Sequence, residues 1–420
     1  MNLQKRLESF FSKDSKLNGR VVIGLILAVY FISIFCSSFF MDYAKYWQML
    51  GVPAASQLFS DLKAVTIAIK CSGATINSTT PNPCNSWFAY PKIWYLFSSI
   101  WVSPDHVAYM AVALISLFYF TTFILLGRIN VNAGIYYALL LCSPPMMLAI
   151  ERGQPDLIIF ILCGAAIWCM RKRISVYGAG TLLMFAGFLK LYPLATVISF
   201  LNGNKKTSLR LLSILTIIGT AYILFNRTDI QSLSNSLTKN YWSVSVGFMH
   251  GCLVFFTLLN TYSFFHRLFH YIPYPVISYS FVTVIMIVVF ISSRKKGIIT
   301  FNSDHIFSFR VGASLYVGSF LIGNNYDYKF IVFIFTIPQL LAWLKNAPQV
   351  KIITICALLA ILITCWSFFL SYVLYWVIYT FMEESLNWFI FGYFVFMLFN
   401  TIPEWTKSLL GFRDVKLSKE

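Results

Sequence analysis

A short polar block, residues 323–329, has side chains suited to binding a charged or hydroxylated ligand. It reads Gly-Asn-Asn-Tyr-Asp-Tyr-Lys and lies between two apolar runs, 311–322 and 330–344. Ionisable residues at a bilayer edge are costly when they face lipid, so they usually face a cavity or a site. Tyrosine and lysine alone fit an interfacial belt, but adjacent asparagines and an aspartate do not. The candidate site residues in this block are Asn324, Asn325, Tyr326, Asp327 and Lys329.

The composition excludes a soluble globular domain. Of the 420 residues, 58% are hydrophobic, 18% are aromatic and only 11% are charged, and the mean hydropathy is +0.72. These values indicate an all-α polytopic membrane protein. The net charge of +17 does not indicate a nucleic-acid partner, because the basic residues fall mostly at one set of span ends, as the positive-inside rule predicts.

Apolar runs close to the ~20 residues of a bilayer crossing predict the membrane helices. They lie near 21–40, 107–126, 132–150, 155–170, 211–226, 276–293, 306–322, 329–344, 352–375 and 387–403. Between Arg173 and Lys205 lie only 31 residues, with both ends predicted inside. Pro193 cannot continue a helix, so we expect two short helices meeting at a polar break around Lys190. With this pair the sequence predicts about twelve membrane helices in one domain, residues 1–420.

The same pattern assigns the connecting segments to two sides of the membrane. The tails 1–20 and 404–420 are expected in the cytoplasm, and two long segments, 41–105 and 227–275, are expected outside. The first has apolar residues at helical spacing over 43–70 and again over 87–101, which predicts amphipathic helices on the outer face. It also contains Cys71 and Cys84. A disulfide between them would fit an oxidising compartment, and two free thiols are the alternative.

Acidic residues are so few that each candidate can be considered. Asp42 directly follows the first predicted span, and Glu151-Arg152 and Asp327 lie at other outer span ends. We expect these to converge on one outward-facing cavity. A carboxylate there can act as a general base towards a hydroxyl, while Lys and Arg can hold a phosphate. Structural alternatives stay open: Asp42 as a helix cap, Glu151-Arg152 as an ion pair, and Asp156 as a first-turn helix acid.

Other catalytic systems are not indicated. There is no glycine-rich phosphate loop and no Ser-His-Asp spacing. His266 and His270 have helical ligand spacing, but no acid is near them in sequence, so no metal and no cofactor are predicted. His250, in the second long segment, is a candidate group for binding the acceptor or a phosphate.

An ordered set of motifs runs through the chain. Its members are Asp42-Tyr43, Tyr90-Pro91, Glu151-Arg152-Gly153-Gln154, Lys190-Leu191-Tyr192-Pro193, residues 324–329 and Pro338-Gln339-Leu340. In this order they resemble the GT-C superfamily of polyprenyl-phosphate-sugar-dependent glycosyltransferases, and most of all the family-87 branch, which includes phosphatidylinositol-mannoside mannosyltransferases. The resemblance implies a GT-C-like helix bundle in the inner (plasma) membrane, with its active site facing the periplasm or outside.

The resemblance also implies a reaction and its residues. It implies inverting transfer of a hexose-type sugar from a polyprenyl-phosphate donor to a glycan or glycolipid acceptor, with Asp42 as general base. The residues implied to bind the donor phosphate or sugar are Arg152, Lys190, Tyr192, Asn324, Asn325, Tyr326, Asp327 and Lys329. Further candidates are Glu151, Gln154 and His250. A donor with a single phosphate does not require a divalent metal to neutralise it.

Two other classes of protein share some of these features. A secondary transporter or flippase also has broken helices and intramembrane charge, but the chain shows no pair of similar halves. A lipid-linked glycan polymerase or ligase is also outward-facing and many-spanned, and it differs by using a diphosphate-linked donor. A structure with Asp42 inside one closed outer cavity would favour the transferase.

Overall fold

The structure is a computed structural model that describes residues 18–37, 39–54, 57–70, 90–99, 103–231, 245–246, 274–295, 304–322 and 325–411. This part of the chain is mostly helical and confirms the prediction of an all-α polytopic membrane protein. Within these ranges, five helices are long and apolar enough to cross a membrane, or six when one bent pair counts as a single span. The larger number of crossings predicted from the sequence is not confirmed.

The helices are named here in chain order. They are α1 (Gly19–Ser37), α2 (Tyr43–Met49), α3 (Ser60–Lys70), α4 (Val107–Leu126), α5 (Val131–Leu141), α6 (Pro144–Glu151), α7 (Asp156–Arg171), α8 (Val176–Leu189), α9 (Lys205–Phe225), α10 (Tyr274–Lys295), α11 (Ile306–Ile322), α12 (Phe333–Asn346), α13 (Lys351–Leu370), α14 (Trp376–Thr401) and α15 (Glu404–Leu409). Short 3-10 helices span Lys92–Ser99, Pro104–His106, Tyr192–Phe200, Asp327–Val332 and Pro348–Val350. Two short strands, β1 (Ser245–Val246) and β2 (Asn325–Tyr326), pair antiparallel, with Ser245 opposite Tyr326.

The chain divides into two compact units. The first comprises Met1–Leu194, Thr216–Asn240 and Asp327–Ile334, and the second comprises Ala195–Leu215, Tyr241–Tyr326 and Phe335–Glu420. The prediction of a single integral membrane domain over residues 1–420 stays a prediction.

In the first unit, small residues allow helices to pack closely. A Cβ added at Gly134 of α5 would lie 2.8 Å from the Cα of Gly19, the first residue of α1, so both positions require glycine for this crossing. Helix α7 packs against α4 and α8, and the rings of Phe118 and Phe160 meet at 4.8 Å between centroids. Close packing through small and aromatic side chains is typical of membrane helices.

The predicted span 132–150 is a broken helix. Helix α5 ends at Leu141, and α6 begins at Pro144 with a bend of 52° between their axes. Proline is well suited to the first turn of a helix, where its missing N–H would have no partner. The break therefore follows from Pro144 and Pro145, and it directs the end of α6 towards the turn that begins at Glu151.

The first long segment has helical structure within both amphipathic patterns. In place of one helix over 43–70, the described residues form two short helices, α2 and α3, and α3 buries Leu62, Val65 and Ile69. Part of the second pattern, Lys92–Ser99, is a 3-10 helix. Most of the second predicted loop, 227–275, falls outside the described residues, as do Cys71, Cys84 and His250.

In the second unit, α14 packs against α10, α11 and α13. This helix begins well before the predicted span 387–403, since it starts at Trp376. Glu383 and Glu384 are buried in this earlier part of the helix. The carboxylate of Glu383 accepts a hydrogen bond from Ser367 Oγ of α13 at 2.7 Å. This partner stabilises an acidic residue at a buried position of the helix.

Candidate active site

The turn between α6 and α7 brings four polar side chains close together in sequence: Glu151, Arg152, Gln154 and Asp156. Helix α6 ends at Glu151, and α7 begins at Asp156 after Pro155. Gly153 has a φ of +58°, a left-handed conformation that glycine adopts at little cost. A Cβ at this glycine would lie 3.1 Å from Leu62 Cβ. The glycine therefore both turns the chain and lets the segment around α3 approach it.

The first long segment is hydrogen-bonded to this turn. The backbone N–H of Phe59 donates to the carbonyl of Glu151 at 2.8 Å, and that of Asp61 donates to the carbonyl of Arg152 at 3.1 Å. Tyr43, next to Asp42, donates its hydroxyl to Glu151 Oε1 at 2.6 Å. Burial and this hydrogen bond raise the pKa of Tyr43 above its ordinary value. Tyr43 therefore stays a protonated donor at neutral pH.

A buried ion pair joins α7 to the end of α8. The Lys190 ammonium contacts the carboxylate of Asp156, whose side chain has no exposed surface. Tyr192 donates its hydroxyl to the other carboxylate oxygen at 2.6 Å. Lys190 follows the last residue of α8 in an extended conformation, which fits the break expected before Pro193. A lysine at this depth is costly unless it is paired, and Asp156 supplies the pair.

A second lysine approaches the same carboxylate from the block at 323–329. Lys329 lies in the 3-10 helix Asp327–Val332 and is buried. Its ammonium is 4.5 Å from the centre of the Tyr192 ring, and that of Lys190 is 5.1 Å from the Tyr90 ring and 5.7 Å from the Tyr328 ring. Aromatic faces stabilise such cations. Both lysine ammonium groups near Asp156 therefore lie close to tyrosine rings.

Asp61 of α3 adds a further carboxylate. It accepts a hydrogen bond from the Gln154 side-chain amide, and its Oδ2 is 3.9 Å from Arg152 Nη1. Burial raises the pKa of Asp61, while the positive charges of Arg152 and Lys190 oppose that rise. The Asp61 carboxylate thus interacts both with side chains of the Glu151–Asp156 turn and with the charge of Lys190 at the end of α8.

Aromatic side chains fix the end of α8, just before Lys190. Trp94 donates its indole N–H to the carbonyl of Leu189 at 3.0 Å. Tyr222 of α9 donates its hydroxyl to the carbonyl of Phe188 at 2.8 Å, and the rings of Phe188 and Tyr222 are stacked at 4.5 Å. Carbonyls in the last turn of a helix lack intrahelical partners, so these donors complete the end of the helix.

The structure brings many of the predicted site residues together. Glu151, Arg152, Gln154, Lys190, Tyr192 and Lys329 all belong to this cluster, which lies wholly within the first compact unit. Asp327 is buried at the start of the same 3-10 helix as Lys329.

Asp42 occupies the N-cap position of α2, without a side-chain cap hydrogen bond, and is exposed. Its side chain is therefore open to a ligand, and its role as general base stays a prediction.

Other predicted residues are less well described. Asn324, His250, Cys71 and Cys84 lie outside the described residues. Asn325 and Tyr326 are described only through their backbone, which forms β2 in the second unit. Their binding roles stay predictions.

Sequence reasoning missed Asp61 and Asp156 as site residues. Asp156 is indeed the first residue of a helix, as expected, but its carboxylate holds Lys190 and Tyr192. The signal was available, since a lysine predicted at membrane depth needs an acidic partner at the same level. For Asp61 the sequence carried no such signal, because its approach depends on how α3 docks on the turn. In the described part of the chain, no three His, Cys, Asp or Glu side chains are grouped to hold a metal.

Comparison with known proteins gives one family. The model of glycosyltransferase family 87 matches residues 88–297, half of the chain. This region includes the Glu151–Asp156 turn and the Lys190–Tyr192 segment. No curated protein and no solved structure matches the chain.

Proposed function

Because this chain belongs to glycosyltransferase family 87, we propose that it moves a hexose from a polyprenyl-phosphate donor to a glycan or glycolipid acceptor. The proposed site faces the outside of the plasma membrane. Family membership decides against the transporter interpretation. Family membership gives the glycosyltransferase activity, and the donor, the acceptor and the stereochemistry are proposed here.

The observation that supports the donor is the charge around Asp156. Two lysines, Lys190 and Lys329, lie around this single buried carboxylate. Buried charges are stable only when they are paired. Asp61, Glu151 and Arg152 lie in the same cluster, and Asp327 is buried in the 3-10 helix that carries Lys329. Lys190 and Lys329 are the positive groups that act on Asp156, and such ammonium groups can hold a phosphodiester that carries one negative charge.

The same arrangement suits the leaving group. In the proposed reaction the acceptor hydroxyl oxygen forms a bond to the anomeric carbon, and the bond from that carbon to the phosphate oxygen breaks. The phosphate leaves with a second negative charge. Fixed positive groups that meet a developing charge in a water-poor site lower the barrier most. Lys190 and Lys329 would supply that stabilisation. Tyr192 donates a hydrogen bond to one oxygen of Asp156, which would leave the lysines freer to interact with the phosphate.

The proton of the acceptor hydroxyl goes to Asp42 in this proposal. A general base must come within hydrogen-bond reach of the hydroxyl, and the exposed position of Asp42 at the start of α2 leaves it accessible. Attack from the face opposite the departing phosphate inverts the anomeric carbon. The hydrogen bond from Tyr43 to Glu151 ties Asp42 to the turn that carries the rest of the cluster.

The test uses the full chain in lipid nanodiscs. Undecaprenyl-phosphate mannose and its glucose counterpart are the donor probes, octyl mannoside is the acceptor probe, and product is measured by mass spectrometry. We expect transfer from one lipid-phosphate donor, loss of at least ~100-fold in kcat for Asp42→Asn, and unchanged transfer for the exposed control Asp105→Asn. Transfer only from a diphosphate-linked donor would favour the polymerase or ligase. Full activity of Asp42→Asn would refute the general-base role.

In cells, the matching test compares envelope glycans of a deletion strain carrying either the wild-type gene or Asp42→Asn. Loss of the same sugar in the deletion strain and in the Asp42→Asn strain, at normal membrane levels of the variant protein, would support the site. The missing sugar would also name the product.

A further inference from the structure

One buried side chain at the candidate site has an unused hydrogen-bonding atom. Gln154 is 2% exposed, and its amide nitrogen donates to Asp61 Oδ2. Its amide oxygen is also buried and has no hydrogen-bond partner among the described residues. Nearly all buried polar atoms in proteins have a partner, so an exception requires an explanation. An acceptor atom held at this point calls for a donor that the described residues do not provide.

The surroundings restrict what that donor can be. The Asp61 carboxylate is a second hydrogen-bond acceptor beside the Gln154 amide. Its Oδ2 atom, which Gln154 contacts, also lies 3.9 Å from Arg152 Nη1. An amide oxygen, a carboxylate and a guanidinium together offer two acceptors and a donor. A hydroxyl both donates and accepts a hydrogen bond, so two neighbouring hydroxyls on a sugar ring match this set. A phosphate does not match it, because Asp61 would repel an anion.

The backbone holds this group of side chains in place. Asp61 and Leu62 both donate their N–H groups to the carbonyl of Arg152, at 3.1 and 3.3 Å. Gly153, between Arg152 and Gln154, has the left-handed conformation that allows α3 to approach. Asp61 and Gln154 are therefore held at their contact by main-chain geometry, as a preorganised binding site requires.

We propose that Asp61 and Gln154 form a hydroxyl-binding subsite that recognises a pair of sugar hydroxyls, with Gln154 Oε1 and Asp61 as acceptors and Arg152 as donor. This inference rests on the proposed function and adds to it a site for the sugar that is separate from the lysines around Asp156. The sugar is either the transferred hexose of the donor or the terminal sugar of the acceptor. The chemistry is the same in both cases.

The kinetic test compares Gln154→Met and Asp61→Asn with the wild type and with the control Gln57→Met. Gln57 is an exposed glutamine of the same segment, four residues before Asp61. Each site variant should lose about tenfold in kcat/KM for transfer, as the loss of one hydrogen bond to a hydroxyl predicts. The control should not change. Thermal unfolding of each purified variant checks that it is folded.

Two reactions distinguish the two sources of the sugar. Hydrolysis of undecaprenyl-phosphate mannose needs only the donor, whereas transfer to octyl mannoside needs both substrates. If the subsite binds the donor hexose, both reactions weaken and the KM for the donor rises. If it binds the acceptor, hydrolysis is unchanged and the KM for octyl mannoside rises. Folded variants with wild-type kcat/KM in both reactions would overturn the subsite.

Binding gives a readout that is independent of activity. A ligand that binds the folded protein raises its unfolding temperature, so the mannose probe that occupies the subsite, donor or acceptor, should stabilise the wild type more than Gln154→Met. Equal stabilisation of the two proteins by both probes would overturn the inference even if transfer occurs. Conversely, a wild type that transfers no hexose but shows this Gln154-dependent stabilisation would refute the proposed function and retain the subsite.

Discussion

Trp94 and Leu189 are joined by a buried hydrogen bond of 3.0 Å from the indole N–H to the carbonyl oxygen. Leu189 immediately precedes Lys190, so this bond fixes the backbone from which the lysine reaches Asp156. Tyr222 holds the preceding carbonyl, that of Phe188, in the same way. The position of the partly buried Lys190 thus depends on two aromatic residues that hydrogen-bond to the backbone just before it.

Removing the hydrogen-bond donors of Trp94 and Tyr222 should affect the chemical step more than substrate binding. Trp94→Phe and Tyr222→Phe are each expected to lower kcat about five- to tenfold, because one hydrogen bond to a helix end contributes ~1 kcal/mol, with little change in the KM for the donor. Steady-state kinetics would show this. Matched controls are Trp168→Phe and Tyr109→Phe, since Trp168 is 41% exposed and Tyr109 is 78% exposed. A rise in KM at constant kcat would contradict a positioning role.

Asp156 should be essential for stability as well as for activity. Replacing it by Asn removes the carboxylate that contacts Lys190, and breaking a buried ion pair typically costs ~3–5 kcal/mol. We expect a clearly lower unfolding temperature for Asp156→Asn in detergent, and partial recovery in the double variant Asp156→Asn with Lys190→Met. A double variant less stable than Asp156→Asn alone would contradict the pairing.

The hydrogen bond between Tyr43 and Glu151 should be worth ~1.5–3 kcal/mol, because one of its partners is charged. Tyr43→Phe and Glu151→Gln are each expected to lower kcat through Asp42, and the two changes together should cost little more than either alone. A double-mutant cycle on kcat measures this coupling. Additive losses would show that the two side chains act separately. Tyr177→Phe, at a half-exposed tyrosine, is the control.

The raised pKa of Asp61 predicts a pH-dependent stability. Burial raises this pKa above its ordinary value of 3.8, so the folded state binds the proton more tightly than the unfolded state. The free energy of unfolding therefore falls as the pH rises from the unfolded pKa through the raised one. Asp61→Asn should raise the unfolding temperature at pH ~7, and the gain should shrink as the pH falls towards ~4. A destabilised Asp61→Asn at neutral pH would contradict this.

Arg310 of the second unit provides a prediction about stability alone. Its guanidinium is buried and donates to the carbonyl of Leu201 and to the carbonyl of Thr401 at the end of α14. Arg310→Met should lower the free energy of unfolding by ~2–4 kcal/mol, because both carbonyls lose a charged donor. Chemical or thermal unfolding measures this. Arg294, which donates to Gly411 at an exposed position, should tolerate the change to Met.

Much of the fold followed from the spacing of apolar residues. Helices α1, α4, α7, α11 and α13 lie close to the predicted spans, because long apolar runs allow few alternatives. The bend at Pro144 was missed, although Pro144 and Pro145 inside the apolar run 132–150 are a signal for the start of a new helix. Helix α14 was predicted too short because the acids Glu383 and Glu384 precede the apolar run 387–403. The carboxylate of Glu383 is held by Ser367 of the neighbouring helix α13, a contact that the apolar pattern does not predict.

Part of the candidate site was predicted because polar residues stand out within apolar runs. Lys190, Tyr192 and Lys329 are polar residues at membrane depth, and the sequence alone marks them as unusual. Asp61 lies in an amphipathic helix, where an acid is ordinary. Its contact with Gln154 arises only because the main chain near Arg152 accepts the start of α3. Such docking is a property of two segments about ninety residues apart, and no local pattern encodes it.

The pair of lysines around Asp156 has a kinetic consequence beyond the transfer step. In the proposed reaction the spent carrier would leave with a doubly charged phosphate, and the two lysines that favour this charge would also hold the product. Escape of the carrier should then limit turnover, and free undecaprenyl phosphate should inhibit competitively against the proposed donor. The rate in the living membrane would then depend on how quickly other enzymes remove and recharge the carrier, which would link this protein to the supply of lipid carrier.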